Sequence, residues 1–293
     1  MQEKSHRLGV ERRLGDWMRA RLPHGIAEFI MFGLKQGWAC LFGGLMLLLL
    51  IGTSLIWEDS WWLARYDFLV LAAVGIQILF LATGLESRRE AWVILLFHVS
   101  GTAMEIFKLH MGSWDYPEPG LLKVGGVPLF SGFMYAAVGS YMARVIRLFD
   151  MRFVPYPTEW MTWALGAAIY LNFFWHHFGP DLRYVLMTLT VVIYGRTMVR
   201  FTVTRRFAMP LILAAGLSTI FLWIAESVGT STGTWVYAGH EGFRLAPLAK
   251  AGSWYLLLYV SFVQVALIYR DRLSETKEEA HGHRISARDG ARP

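Results

Sequence analysis

Two glutamates in this 293-residue chain carry matching sets of neighbours. From Glu105, a glycine follows seven residues on, a tryptophan nine and a tyrosine eleven: Gly112, Trp114 and Tyr116. From Glu226 the same intervals lead to Gly233, Trp235 and Tyr237, and Ser113 is matched by Thr234. The shared pattern is E-x6-G-[ST]-W-x-Y at an offset of 121 residues, with Lys123 and Arg244 also in step. Both glutamates end long apolar segments, where an ionised carboxylate must find a partner, face water or be protonated. Brought together across an axis, the two would titrate apart, one serving as general acid and the other as base. Trp114 and Trp235 would offer aromatic faces to a developing carbocation. The local alternative pairs Glu105 with Lys108, one turn on, and Glu226 with Ser227 or a loop amide. Lys108 has no basic counterpart, since Gly229 stands at its place, so the two halves are not chemically equivalent.

Histidines extend the set. His98 lies two helical turns before Glu105, on the same face, and with His110 would form an imidazole–carboxylate relay; the plainer reading is a hydrogen-bonded packing residue. In "NFFWHHFGPD", Asn172 and His176 share a face, His177 points elsewhere and Asp181 follows the turn. His176, His177 and Asp181, completed by Glu105, Glu226, His110 or His240, are donors that zinc or iron accepts. No strict metal spacing accompanies them, so no cofactor or metal is expected, and a hydrogen-bonded interfacial rim is the other account. Trp114, Tyr116, Trp235, Tyr237, Asp115 and Lys108 are the expected substrate contacts. In "DYPEPGLLKVGGVPLFSGFMY", Asp115 and Glu118 are candidates to line an entrance, and Gly125, Gly126 and Pro128 suggest either a re-entrant turn or an ordinary interfacial one.

The elements that must position these residues are membrane helices. The chain is 55% hydrophobic, with 13 Trp and 19 Phe. Its apolar residues come in blocks near the roughly 20 residues that cross a bilayer. Eight segments are expected, at about 37–57, 67–85, 91–111, 127–148, 160–178, 182–203, 208–228 and 251–270. Letting each reverse direction with the N-terminus inside puts only Arg65, Lys108, Lys123, Arg183, Arg244 and Lys250 outside, and the other 22 of the 28 Lys and Arg inside. That is the positive-inside bias of a multi-pass protein of a bacterial cytoplasmic membrane with both termini cytoplasmic. The net charge of +6 is then a topology signal that favours anionic lipid and gives no case for nucleic acid. Arg144, Arg147, Arg196 and Arg200 are read as topology determinants and lipid-phosphate contacts. The lone Cys40 is read as a small packing residue.

The 121-residue offset moves the first four segments onto the last four. The expectation is an all-α protein of two parallel four-helix repeats, 37–148 and 149–270, related by a pseudo-twofold axis along the membrane normal. Residues 1–36 form a cytoplasmic segment in which 22–35 is either an amphipathic surface helix or a linker. Residues 271–293 form a disordered cytoplasmic tail.

The stretches "FGLKQGWACLFGG", "ARYDFLVLAA", "ILLFHVSGTAMEIFKLHMGSWDYPEPG", "GGVPLFSGFMYAAVGSY", "NFFWHHFGPD" and "ESVGTSTGTWVY" together resemble the YoaT-type bacterial membrane proteins. The likeness runs from about Phe32 to Tyr269 and implies a multi-pass membrane protein, with no reaction attached. Glu105, Gly112, Trp114, Tyr116 and "GVPLFSGF" also resemble the outline of bacterial carotenoid hydratases and small membrane lycopene cyclases. That second likeness implies acid–base chemistry on isoprenoid double bonds, and too little matches elsewhere for membership.

Three functions follow as expectations. The first is an isomerase, cyclase or hydratase acting on a lipid or isoprenoid in an outer-leaflet pocket, with Glu105, Glu226, His98 and His176 catalytic. The second is a proton-coupled transporter or channel using the paired glutamates. The third is a structural or partner-binding membrane protein. The absence of acids at the inner helix ends favours a site open to one side.

Overall fold

The computed structural model describes residues 20–58, 60–237 and 245–269, with a few positions between 13 and 18. His240, Arg244, the tail 271–293 and most of residues 1–19 lie outside the described residues. Among the described residues, α1 (His24–Ala39), α2 (Leu41–Ile56), α3 (Arg65–Ala82), α4 (Arg88–His110) and α5 (Phe130–Leu148) precede α6 (Glu159–Trp175), α7 (Arg183–Tyr194), α8 (Leu211–Ser231) and α9 (Ala249–Ile268). Short strands join them: β1 (Trp114–Asp115), β2 (Lys123–Val124), β3 (Val127–Pro128), β4 (Arg152–Val154), β5 (Met198–Thr202), β6 (Arg206–Pro210) and β7 (Val236–Tyr237).

The chain is a mostly helical membrane protein. Among the described residues, four helices, α3, α4, α8 and α9, are long and apolar enough to cross a bilayer, and α1 with α2 would add a fifth if that pair, bent by 68°, counts as one span. Large apolar side chains such as Leu48, Leu79 and Phe221 stand exposed on these helices, a surface suited to hydrocarbon and costly in water. Each of the eight expected segments is helical over most of its length. The exception is 182–203, where the helix stops at Tyr194 after 12 residues. Beyond Gly195 the alternation Met198-Val199-Arg200-Phe201 buries every second side chain, which is strand periodicity, and β4–β5–β6 form an antiparallel sheet. The all-α expectation is corrected to that extent.

The sheet lies at one end of the bundle, and the two E-x6-G-[ST]-W-x-Y motifs lie at the other. At the motif end, β1 pairs antiparallel with β7, Trp114 against Tyr237 and Asp115 against Val236. Asp115 and Val236 are themselves 121 residues apart, so this pairing is symmetric about its own centre. The turns before it also correspond. Gly112 and Gly233 both have φ of +66°, a conformation that glycine adopts without steric cost. Ser113 donates to Lys108 O at 3.0 Å and Thr234 to Gly229 O at 3.1 Å. Each helix end is closed in the same way, and each Trp-x-Tyr is turned back over its own helix.

At the sheet end, α4 starts in a capping box: Ser87 Oγ accepts from Glu90 N, and the Glu90 carboxylate accepts from Ser87 N. Glu90 and Glu86 are buried there, paired with Arg147 at 3.0 Å and Arg144 at 2.9 Å. Ser140 and Gln77 also donate to Glu86. Acids therefore do stand at this end, and Arg144 and Arg147 meet carboxylates rather than lipid phosphate. Charge so far from water persists only when paired. Helix α1 is the helical alternative for 22–35, with Ala27, Met31 and Ala39 in the core and Lys35 donating to Val203 O at 3.0 Å. Cys40 sits at the α1–α2 bend and is exposed, not packed.

Candidate functional site

Helices α4 and α5 approach closely because small residues line their contact. A Cβ at Gly101 would meet the Tyr135 side chain at 2.6 to 2.8 Å, and one at Gly139 would meet Phe97 at 2.8 Å. This is how membrane helices gain packing contact. The approach brings Tyr135 of α5 beside Glu105 of α4. Glu105 is buried and accepts three hydrogen bonds, from Trp114 Nε1 at 2.7 Å, Tyr116 Oη at 2.7 Å and Tyr135 Oη at 2.6 Å. On α8, Glu226 accepts from Trp235 Nε1 at 3.0 Å and from Tyr237 Oη. Trp254 on α9 lines the same cavity as Glu226. Each glutamate is thus held by the Trp and Tyr of its own motif, and Glu105 also by Tyr135 of the helix that follows it. The expected local pairing with Lys108 or Ser227 is not what holds them: Ser227 Oγ donates to Trp223 O instead.

Both carboxylates line one cavity of about 340 Å³ between α4, α5, α6, α8 and α9. Trp114, Tyr116, Trp235, Tyr237, Lys108 and His176 line it too. Asp115 does not; its carboxylate caps the Tyr116 amide at 2.7 Å. His98 is also outside, against the Phe133 ring at 4.6 Å, with Nδ1 buried and unpartnered among the described residues. His110 is exposed and bonded to Ile106 O.

Lys108 turns to the α6 end, where its Nζ lies 3.1 Å from His176 Nε2 and 3.0 Å from His177 Nε2. An ammonium has only protons to give, so both imidazoles accept through Nε2. His176 Nδ1 is left to donate to Asn172 O at 2.9 Å. Burial, with the Lys108 charge beside it, lowers the His177 pKa from its ordinary value, in keeping with that acceptor role. Asp181 takes Asn172 Nδ2, Arg183 N and the Arg183 guanidinium. The proposed metal donors are therefore spent on lysine, amide and arginine, and among the described residues no three metal-ligating side chains cluster.

The sequence reading missed several supports. Tyr135, Lys250 and Trp254 line the cavity, yet nothing marks them within their own segments except spacing from a helix start. The triplet Arg65-Tyr66-Asp67 fastens the motif end. Arg65 reaches Thr234 Oγ1 at 3.0 Å, Thr53 Oγ1 at 2.9 Å and Glu118, while Tyr66 donates to Thr234 O at 2.7 Å. Asp67 accepts from the amides of Leu121 and Leu122. Glu118 belongs to this clamp and does not line the cavity. Gly125 and Gly126, both at positive φ, turn the β2–β3 hairpin that leads into α5, in keeping with a two-residue primed turn.

The model of the family described as "Protein of unknown function (DUF817)" matches residues 28–262. A relative from Bacillus subtilis (strain 168), "Uncharacterized protein YoaT", is 42% identical over 257 residues, covering 87% of this chain and 95% of its own. Among solved structures, the mycobacterial Insig homolog MvINS from Mycobacterium vanbaalenii is similar at 14% identity with a TM-score of 0.45, over 63% of this chain and 97% of that one. A cross-linked trimeric variant of MvINS gives 11% and 0.46, over 63% and 95%.

Proposed function

The chain belongs to the DUF817 family, and from that premise we propose that it is a membrane enzyme performing acid–base chemistry on a lipid or isoprenoid held between its two glutamates. The observation that carries this reading is that Glu105 and Glu226, from two separate helices, line a single cavity. In the proposed cycle one carboxyl group protonates a carbon–carbon double bond and the other carboxylate removes a proton from a neighbouring carbon. The net result is a moved double bond or a closed ring, and the two carboxyls reset by exchanging a proton with water. Trp114 and Trp235 face the cationic carbon between these steps. Tyr116, Tyr135 and Tyr237 hold the carboxylates in position and can relay a proton, which the indoles cannot. His176 acts through Lys108, as a positioning residue.

The parallel two-repeat plan, with eight crossings and the motif end outward in a bacterial cytoplasmic membrane, is part of this proposal. The matched Gly112 and Gly233 turns and the self-centred β1–β7 pairing support it. The test is comparative lipid extraction from a deletion strain and from strains restored with the wild type, Glu105→Gln or Glu226→Gln. The reading expects one lipid class to change on deletion, wild type to restore it and both variants to fail. Identical profiles in all four strains under conditions of expression would overturn it.

One observation favours a proton-coupled carrier instead. The buried Glu86–Arg144 and Glu90–Arg147 pairs place charge at the sheet end as well, which removes part of the argument for a one-sided site. Proton flux into proteoliposomes that is abolished by Glu105→Gln, with no lipid change, would select that reading.

A further inference from the structure

Two lysines on the cavity wall are not spent on its glutamates. Lys108 is 4% exposed and has two neutral imidazoles as partners. Lys250 lies over the rings of Tyr237 and Trp114 at 4.2 and 5.2 Å. Neither lysine makes an ion pair with a carboxylate within 4.0 Å among the described residues. Arg183 is the third cation on the cavity wall, held by Asp181 and by Ala249 O. Burying an ammonium against imidazoles and rings is costly unless an anion arrives to meet it.

These groups are ordered along the bundle. On α4, Lys108 is three residues nearer the motif end than Glu105, about 4.5 Å at 1.5 Å per residue. On α9, Lys250 precedes Leu257 by seven residues, about 10 Å. Leu222, Leu256 and Leu257 line the opposite, apolar part of the cavity. Cations stand toward the motif end, carboxylates one turn below and aliphatic side chains beyond them.

Resting on the lipid reading above, we propose that the ligand is an amphiphile with a single anionic head, phosphate or carboxylate, bound head-outward by Lys108, Lys250 and Arg183. The glutamates then meet the first few carbons after the head, so the reacting bond lies close to the anionic group. Head-group charge selects the ligand and the apolar end admits its chain.

The test uses full-length protein in nanodiscs and radiolabelled dodecyl phosphate as the probe, with empty nanodiscs subtracted. The expected result is that dodecanol and inorganic phosphate each compete at least tenfold more weakly than unlabelled dodecyl phosphate. Lys108→Met and Lys250→Met should each weaken binding at least tenfold, Lys108→Arg should retain most of it, and Glu105→Gln should bind at least as tightly as wild type. A monodisperse gel-filtration profile shows that a variant is folded, and Lys250→Met carries the test if Lys108→Met is not. Equal competition by dodecanol, equal competition by inorganic phosphate, or undiminished binding by both folded methionine variants would overturn the proposal. Binding is read without turnover, so the two ideas fail separately. A lost head-group preference with a changed lipid profile leaves the enzyme reading standing, and the reverse outcome leaves the anion site standing.

Discussion

Gly229→Ala should destabilise the protein, while Gly216→Ala in the same helix should not. A Cβ built at Gly229 lies 2.5 Å from Trp235 Cζ3 and closer still to two other ring carbons. Ordinary van der Waals contact begins at 3.4 Å, and the nearest ring carbon sets the shift, so the indole must retreat by well over about 1 Å to regain native packing distances. Its Nε1 donates to Glu226 at 3.0 Å, and a retreat of that size takes the pair out of bonding range. Losing a hydrogen bond to a carboxylate costs about 1.5–3 kcal/mol, and overpacking adds about 1–3 kcal/mol. A Cβ at Gly216 meets nothing within 4 Å, so there only the helix propensity gain of up to about 1 kcal/mol remains. Trp235→Phe, which keeps a ring and loses the donor, should fall between the two. The assay is the midpoint of SDS-induced unfolding in mixed micelles. If Gly229→Ala matches Gly216→Ala, the Trp235–Glu226 geometry is wrong.

Arg144→Met should cost about 3–5 kcal/mol in the same assay, because it strands the buried Glu86 carboxylate. Adding Glu86→Leu should recover most of that, and a double variant no better than the single would refute the pairing. Partial burial pushes the Asp181 carboxyl up, but the Arg183 amide, the Asn172 amide and the Arg183 guanidinium outweigh it, and its pKa stands below the ordinary 3.8. A depressed folded pKa gives stability that is present above the unfolded value and lost as pH falls through the folded one. Thermal midpoints should therefore drop below about pH 4, given ordinary carboxylate titration, and Asp181→Asn should flatten that part of the profile. A variant with an unchanged slope would rule Asp181 out.

The sequence made some of this legible because the relevant interactions are local. Glu105, Trp114 and Tyr116 close on one another within a single turn and cap, so fixed spacing is enough to imply that they meet, and its recurrence at Glu226 doubles the signal. Tyr135, Lys250 and Trp254 were invisible because their roles depend on how α5 and α9 rotate against α4 and α8, which small residues such as Gly101 set through packing. Glu86 and Arg144 are 58 residues apart, and an arginine at a helix end reads equally well as a lipid contact until its partner is seen. The strand at Met198–Thr202 was hidden in an apolar run, where a helix and a buried strand differ only in period. His98 shares the face of Glu105 in projection, yet it packs against Gly132 and Phe133.

The central claim is that the two glutamates look into one chamber. It can be tested in a Cys40→Ser background carrying Glu105→Cys and Glu226→Cys, with a protease site inserted between α5 and α6. A short bis-methanethiosulfonate reagent should join the two halves within one chain, so that they stay together on a denaturing gel after cleavage and part on reduction. If each cysteine reacts with a monofunctional reagent of the same size while the bifunctional one leaves the halves separate, the carboxylates do not share a cavity and the account fails.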